Sequence, residues 1–143
     1  MSLPDTNWKG YLIKAVSTDT VLPSKFIEAS SYKSTPNQRE EIKAYRDENT
    51  RDLTRITAAG RKSKIIFNTR ENLHFKDKVA FQNFFYDAES DHAERKVQIE
   101  FWNDEENIYQ TGYFYRPDIQ FTIKKITDDD IIYDKVEVHL IEY

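Results

Sequence analysis

The sequence predicts a β-rich α+β domain: two packed antiparallel sheets, as a sandwich or partly open barrel, flanked by one α-helix at about 71–88. Three observations carry this. Short runs of alternating apolar and polar residues recur with turn signals between them, the signature of half-buried strands. A single stretch, Thr69 to Ala88, has helical rather than alternating spacing. Aromatics make up 14% of the chain and supply the large buried areas that a 38% apolar fraction would otherwise lack.

Taken in order, "WKGYLIKAV" (8–16) reads as a first strand entering a Thr-Asp-Thr turn. From Glu28 to Thr50 the sequence is polar and charged without sustained period, so a long flexible loop or arm is expected at about 28–50. It is expected either to stay mobile or to order against a neighbouring subunit. "RDLTRITA" and "RKSKIIFN" read as two strands joined by a tight turn at Gly60. The helix follows, with Asn72 or Thr69 as N-cap and Glu71 near its positive end. Strands "KVQIEFW", "IYQTGYFYR", "DIQFTIKKI" and "IIYDKVEVHLIEY" then form an antiparallel meander, because their connections are too short for parallel crossovers. The whole, residues 1–143, fits a single domain.

Helical spacing puts Leu73, Ala80, Phe81, Phe84 and Phe85 on one side, facing the core. Phe75, Val79 and Tyr86 fall nearly opposite and form a second apolar stripe. In the strand around "TGYFYRPD", Tyr113 and Tyr115 share one face while Phe114 lies on the other, and neither face is plainly the solvent side. Phe75, Val79, Tyr86, Tyr113 and Tyr115 are therefore candidate subunit-interface residues, against the plainer reading in which aromatics fill the core and the long loop folds over the helix stripe.

Between Arg51 and Arg70 stand six basic residues (Arg51, Arg55, Arg61, Lys62, Lys64, Arg70) against the single acid Asp52. A nucleic-acid-binding module using this basic hairpin is the alternative function. A charged edge that discourages aggregation accounts for the same residues. The C-terminal stretch from Asp128 holds six acids against Lys135, so the chain has one basic and one acidic region that could pair head to tail.

Chemistry is sparse. Without cysteine there are no disulfides, thiolate metal sites or Cys nucleophile. His74, His92 and His139 have no metal-ligand spacing, and three glycines do not make a phosphate loop. The "TDDD" run lacks the spaced ligands of a calcium loop. No enzyme activity, cofactor or metal is expected. No apolar run approaches the roughly 20 residues that cross a bilayer, and the first residues lack a basic segment followed by an apolar one, so neither membrane nor signal peptide is expected.

The order "SSYK", "RDLTR", "RKSKIIF", "FQNFFYDA" and "KVQIEFW…YQTGYFYRPD" resembles a family of small phage- and prophage-encoded proteins of unassigned role found among tail genes. The similarity runs from about Tyr32 to the C-terminus, and this chain departs from the pattern in having few glycines in its long loop. The strand and helix order also resembles phage tail-tube and tail-completion proteins. The resemblance implies a structural, non-enzymatic tail component that self-assembles through sheet edges and aromatic patches. Its partners would be further copies of itself, as in a ring, and other phage tail proteins. It would reside in the virion, and in the bacterial host cytoplasm before assembly. The 28–50 segment would be the inter-subunit arm, and acidic residues would line a lumen.

Overall fold

The computed structural model describes residues 2–46 and 53–143, with side chains at 2–38 and 62–143. The strands are β1 (Ile13–Ala15), β2 (Thr20–Val21), β3 (Lys33–Arg46), β4 (Leu53–Asn68), β5 (Leu73–His74), β6 (Glu89–Asp91), β7 (Lys96–Asn103), β8 (Ile108–Tyr115), β9 (Ile123–Ile126), β10 (Ile131–Tyr133) and β11 (Glu137–Glu142), with the helix α1 at Phe75–Ala88. They form an eight-stranded sheet, β2-β1-β7-β8-β11-β4-β3 with β6 also on β7, and a three-stranded sheet, β5-β10-β9. Every pairing is antiparallel and neither sheet closes into a barrel. The fold is β-rich α+β.

The alternation read from "KVQIEFW" is realised in β7, where Val97, Ile99 and Phe101 are buried and their neighbours are not. These side chains meet Ile13 and Ala15 from β1, Phe114 from β8, Val138 and Leu140 from β11, and Ile65 and Phe67 from β4 in one core. α1 covers that inner face with Phe81 and Phe85, each 1% exposed. The helix touches β1 and β7 of the large sheet and β5 and β10 of the small one, which ties the two sheets together. Each such buried aromatic contributes roughly 1.5–3 kcal/mol. No helix or second sheet is assigned to the outer face of the large sheet among the described residues, and the segment around Trp8 and Tyr11 packs on its Trp102–Tyr109 end.

Several expectations are corrected. The 28–50 segment is not a loop throughout: two short 3-10 turns at Ser24–Phe26 and Ala29–Ser31 lead into strand β3, which is polar because it lies at the end of the sheet order. An edge strand bonds through its backbone and needs no apolar face, and it tolerates Pro36 for the same reason. Residues 47–50 of that segment lie outside the described residues. The hairpin expected at Gly60 is absent, because β4 runs through that position and β3 pairs with it on both sides. Its register shifts at three points, as bulged edges do.

The C-terminal meander is interrupted as well. β9 and β10 leave the large sheet for β5, and β11 returns to insert between β8 and β4. The helix starts at Phe75 rather than about 71, with His74 as N-cap and no side-chain cap from the expected residues. Asn72 has a positive φ of 59°, and Thr69 is buried, its hydroxyl accepting the Val136 N–H at 3.0 Å. The first helical N–H is met instead from a distant turn: Phe75 N donates to Asp130 Oδ1 at 3.2 Å. Ala80, assigned to the core stripe, is exposed.

Beyond the end of β11, side chains bridge β8 to the β3–β4 pair. Asn37, at the β3 bulge with φ 52°, exchanges hydrogen bonds with Gln110 at 2.9 and 3.2 Å. Gln110 also accepts from the buried Asn103 at 2.8 Å. Glu142 Oε1 accepts the Ser63 N–H at 2.8 Å. Past this bridge, among the described residues, β4 pairs with β3 alone, since its register with β11 ends at Lys64. At about 3.3 Å per residue, positions 53–62 make a two-stranded ribbon roughly 30 Å long.

Candidate functional site

The candidate interface residues fall on two separate surfaces. On β8, Phe114 points into the core, so Tyr113 and Tyr115 point to the uncovered outer face. Tyr113 is 46% exposed and Tyr115 half-buried. Lys96 stands across from Tyr115 on β7, with its Nζ 5.0 Å from the Tyr113 ring and 4.9 Å from the Tyr143 ring. Ile141 and Ile66 continue this face through β11 and β4. The result is an open sheet surface of tyrosines and isoleucines around a lysine.

Phe75, Val79 and Tyr86 lie on α1, in the layer on the other side of that sheet. Phe75 and Tyr86 are exposed and Val79 is half-buried. The first and last of these are separated by about 16 Å of helix, so they serve different surroundings. Phe75 borders a hollow formed with Ile126, Ile131 and Asp128–Asp130. Tyr86 stacks on the His92 ring with centroids 4.1 Å apart, and His92 is held by Glu89 at 2.9 Å. Glu89 also faces Arg116 at 3.5 Å, and the Arg116 guanidinium lies over the Phe85 ring. Burial holds the Arg116 pKa below its ordinary value against the pull of Glu89.

Three of the six residues of the basic patch, Lys62, Lys64 and Arg70, have described side chains. Arg51 lies outside the described residues, and Arg55 and Arg61 are described by backbone alone, on β4. Lys62 and Lys64 alternate with buried Ser63 and Ile65 and so face outward. Arg70 sits past the end of β4, its Nε donating to Ile27 O at 3.4 Å.

Each histidine is paired with a single carboxylate: His74 with Asp130 at 2.6 Å, His92 with Glu89, and His139 with Glu137 at 2.9 Å. Among the described residues no group of three or more His, Cys, Asp or Glu side chains is placed to hold a metal. The His74 hydrogen bond, helped by the Phe75 and Ile131 N–H groups, holds the Asp130 carboxyl below the usual carboxylate range.

Sequence reasoning missed an aromatic cluster at the β7–β8 turn. Trp102 and Tyr109 face each other in register, and Trp8 packs edge-on against Trp102 with centroids 5.3 Å apart. Tyr109 donates its hydroxyl to Tyr11 O at 2.8 Å and accepts the Lys9 N–H at 3.0 Å. The Tyr11 hydroxyl donates to Glu100, and burial together with that bond pushes its pKa up to about 12. Beside the cluster is a hollow lined mainly by Trp8, Tyr11, Leu12, Ile27 and Arg70. The available signal was the alternation that put Trp102 and Tyr109 on one face; their meeting with Trp8 is a contact of distant segments.

A model of a family of unknown function (DUF6711) matches residues 6–143. No curated protein matches the chain. Solved structures that share its fold include two from gene transfer agent particles. One is a chain in the tail of an empty gene transfer agent particle with C6 symmetry, 14% identical, with 97% of this chain and 95% of that chain covered at a TM-score of 0.52. The other is a chain of the virion of the native gene transfer agent particle, also 14% identical, with 97% and 95% covered at a TM-score of 0.51. These neighbours come from phage-like particles, in line with the resemblance to proteins encoded among tail genes.

Proposed function

We propose that this chain, which belongs to the DUF6711 family, is a structural, non-enzymatic subunit of a phage, prophage or related tail. The observation that carries the reading is the fold shared along nearly the whole chain with a chain of a C6-symmetric tail particle. Two features of the chain itself support it. β3 is the terminal strand of the large sheet and offers a long backbone edge for pairing with another chain. The β3–β4 ribbon is two-stranded over much of its length, and such ribbons are at best marginally stable in water without further packing. A neighbouring subunit is the partner that would supply it, which keeps the role of inter-subunit arm for this part of the chain.

In this reading Tyr113 and Tyr115 on the open sheet, and Phe75, Val79 and Tyr86 on α1, bury against further copies or other tail proteins. The chain is a virion component that resides in the host cytoplasm before assembly. The nucleic-acid reading through the basic residues of β4 and Arg70 stays the alternative, with no likeness among the solved structures to support it beside the tail reading.

The test is genetic and biochemical. Particles purified from a producing host are expected to contain the chain on the tail by mass spectrometry and immunogold labelling. Deleting its gene is expected to yield particles with defective tails, restored by the wild-type gene in trans. Normal, infectious tails that lack the chain would overturn the proposal.

A further inference from the structure

Two parts of the surface are complementary in chemistry, one an apolar hollow with a cation and the other an exposed isoleucine followed by two acids. The first is the hollow of Trp8, Tyr11, Leu12, Ile27 and Arg70. Its walls are largely apolar, and Trp8 is 51% exposed beside it. Arg70 supplies a guanidinium, the group that best reads a carboxylate. The acids nearest in sequence are engaged elsewhere: Glu28 with Lys135 at 3.3 Å, and Glu71 with Lys135 at 3.7 Å and Lys124 at 4.0 Å.

The second is the turn between β9 and β10. Ile126 is 72% exposed, an unusual place for an isoleucine, and Asp128 and Asp129 follow it, both exposed. The turn is held rigid. Thr127 N donates to Asp130 O at 2.9 Å, Asp130 N donates back to Thr127 Oγ1 at 2.9 Å, and the Asp130 side chain is anchored on His74 and the Phe75 N–H. A preorganised apolar knob with two carboxylates is thus presented to solvent at little further entropic cost on binding.

We infer that the Ile126–Asp129 turn of one copy docks into the Trp8–Arg70 hollow of a second copy. Ile126 fills the apolar hollow, and Asp128 and Asp129 face Arg70. The inference rests on the tail-subunit reading in taking a second copy as the occupant. The charge complementarity and the match of an exposed isoleucine to an apolar hollow select that occupant. Because knob and hollow are different surfaces, the contact is heterologous, and repetition generates a ring or a filament rather than a closed two-fold dimer.

The test is a charge swap in the full chain, read by sedimentation velocity from about 1 µM to about 1 mM. Folding of each variant is checked by circular dichroism. The wild type is expected to self-associate. Arg70→Glu alone, or Asp128→Arg with Asp129→Arg, sets like charges against each other and weakens association by about tenfold or more. Mixing the two variants one to one restores complementary contacts both ways, and association returns to within about threefold of wild type. Ile126→Ser weakens association without any change in charge. A mixture no tighter than either variant alone, or a wild type monomeric throughout the range, overturns the inference. The tail reading is decided separately by whether the chain is found on purified tails, so the contact can fail while that reading stands.

Discussion

Replacing Gly112 by alanine probes the joint between β8, β11 and β4. A Cβ built on Gly112 would overlap Glu142 Oε2 and lie 3.1 Å from its Cδ. The carboxylate is not a free chain end that can simply swing away, because its other oxygen accepts the Ser63 N–H at 2.8 Å, and Ser63 is 2% exposed. Displacing it leaves that N–H without its acceptor, and a hydrogen bond to a charged group is worth about 1.5–3 kcal/mol. Relief of glycine's chain entropy offsets roughly 0.5–1 kcal/mol, so the net loss is about 1–2 kcal/mol. At this chain length that lowers Tm by about 2–4 °C for each kcal/mol. The assay is urea denaturation of the wild type, Gly112→Ala, Glu142→Ala and the double variant. With Glu142 truncated the alanine Cβ meets only Phe114 Cε1, at 3.4 Å and in ordinary contact, so the two substitutions are expected to be non-additive by at least about 1 kcal/mol. Additive losses would refute the reasoning and mean that the Gly112 backbone, not its approach to Glu142, carries the effect.

Three further outcomes are expected. Phe85→Ala empties a site between α1 and the large sheet and should cost about 3–5 kcal/mol in denaturant unfolding, whereas Phe75→Ala, at an exposed position, should cost far less. Arg116→Met leaves the Glu89 side chain, 4% exposed, without its cation and should destabilise by up to about 3–5 kcal/mol, with much of the loss recovered in Arg116→Met with Glu89→Gln, as measured by a double-mutant cycle. Asp130→Asn should lower stability at neutral pH. Because the folded-state pKa of Asp130 lies below its unfolded value, its contribution is present above about pH 4 and fades as the pH falls through the depressed folded value, so wild-type and variant urea midpoints should converge in acid.

The amino-acid sequence by itself determined the fold class, the alternation of β7 and the burial of Phe81 and Phe85. These follow from a local rule: an element with one buried face must repeat apolar residues at its own period, two for a strand and 3.6 for a helix. The aromatic interface candidates were partly legible in the same way. Alternation put Tyr113 and Tyr115 opposite Phe114, but only the packing of the elements leaves Tyr113 46% exposed. Tertiary structure alone decided that the charged 33–46 stretch is a strand, since its pairing with β4 uses backbone groups that every residue carries. It also decided that β11 inserts between β8 and β4, that Asp130 meets the first N–H of a helix 55 residues away in sequence, and that Trp8 closes on Trp102 and Tyr109. Periodicity reports that a side chain is buried and never which partner buries it, because the partner is chosen by long-range pairing whose chain-closure entropy leaves no mark on the local pattern.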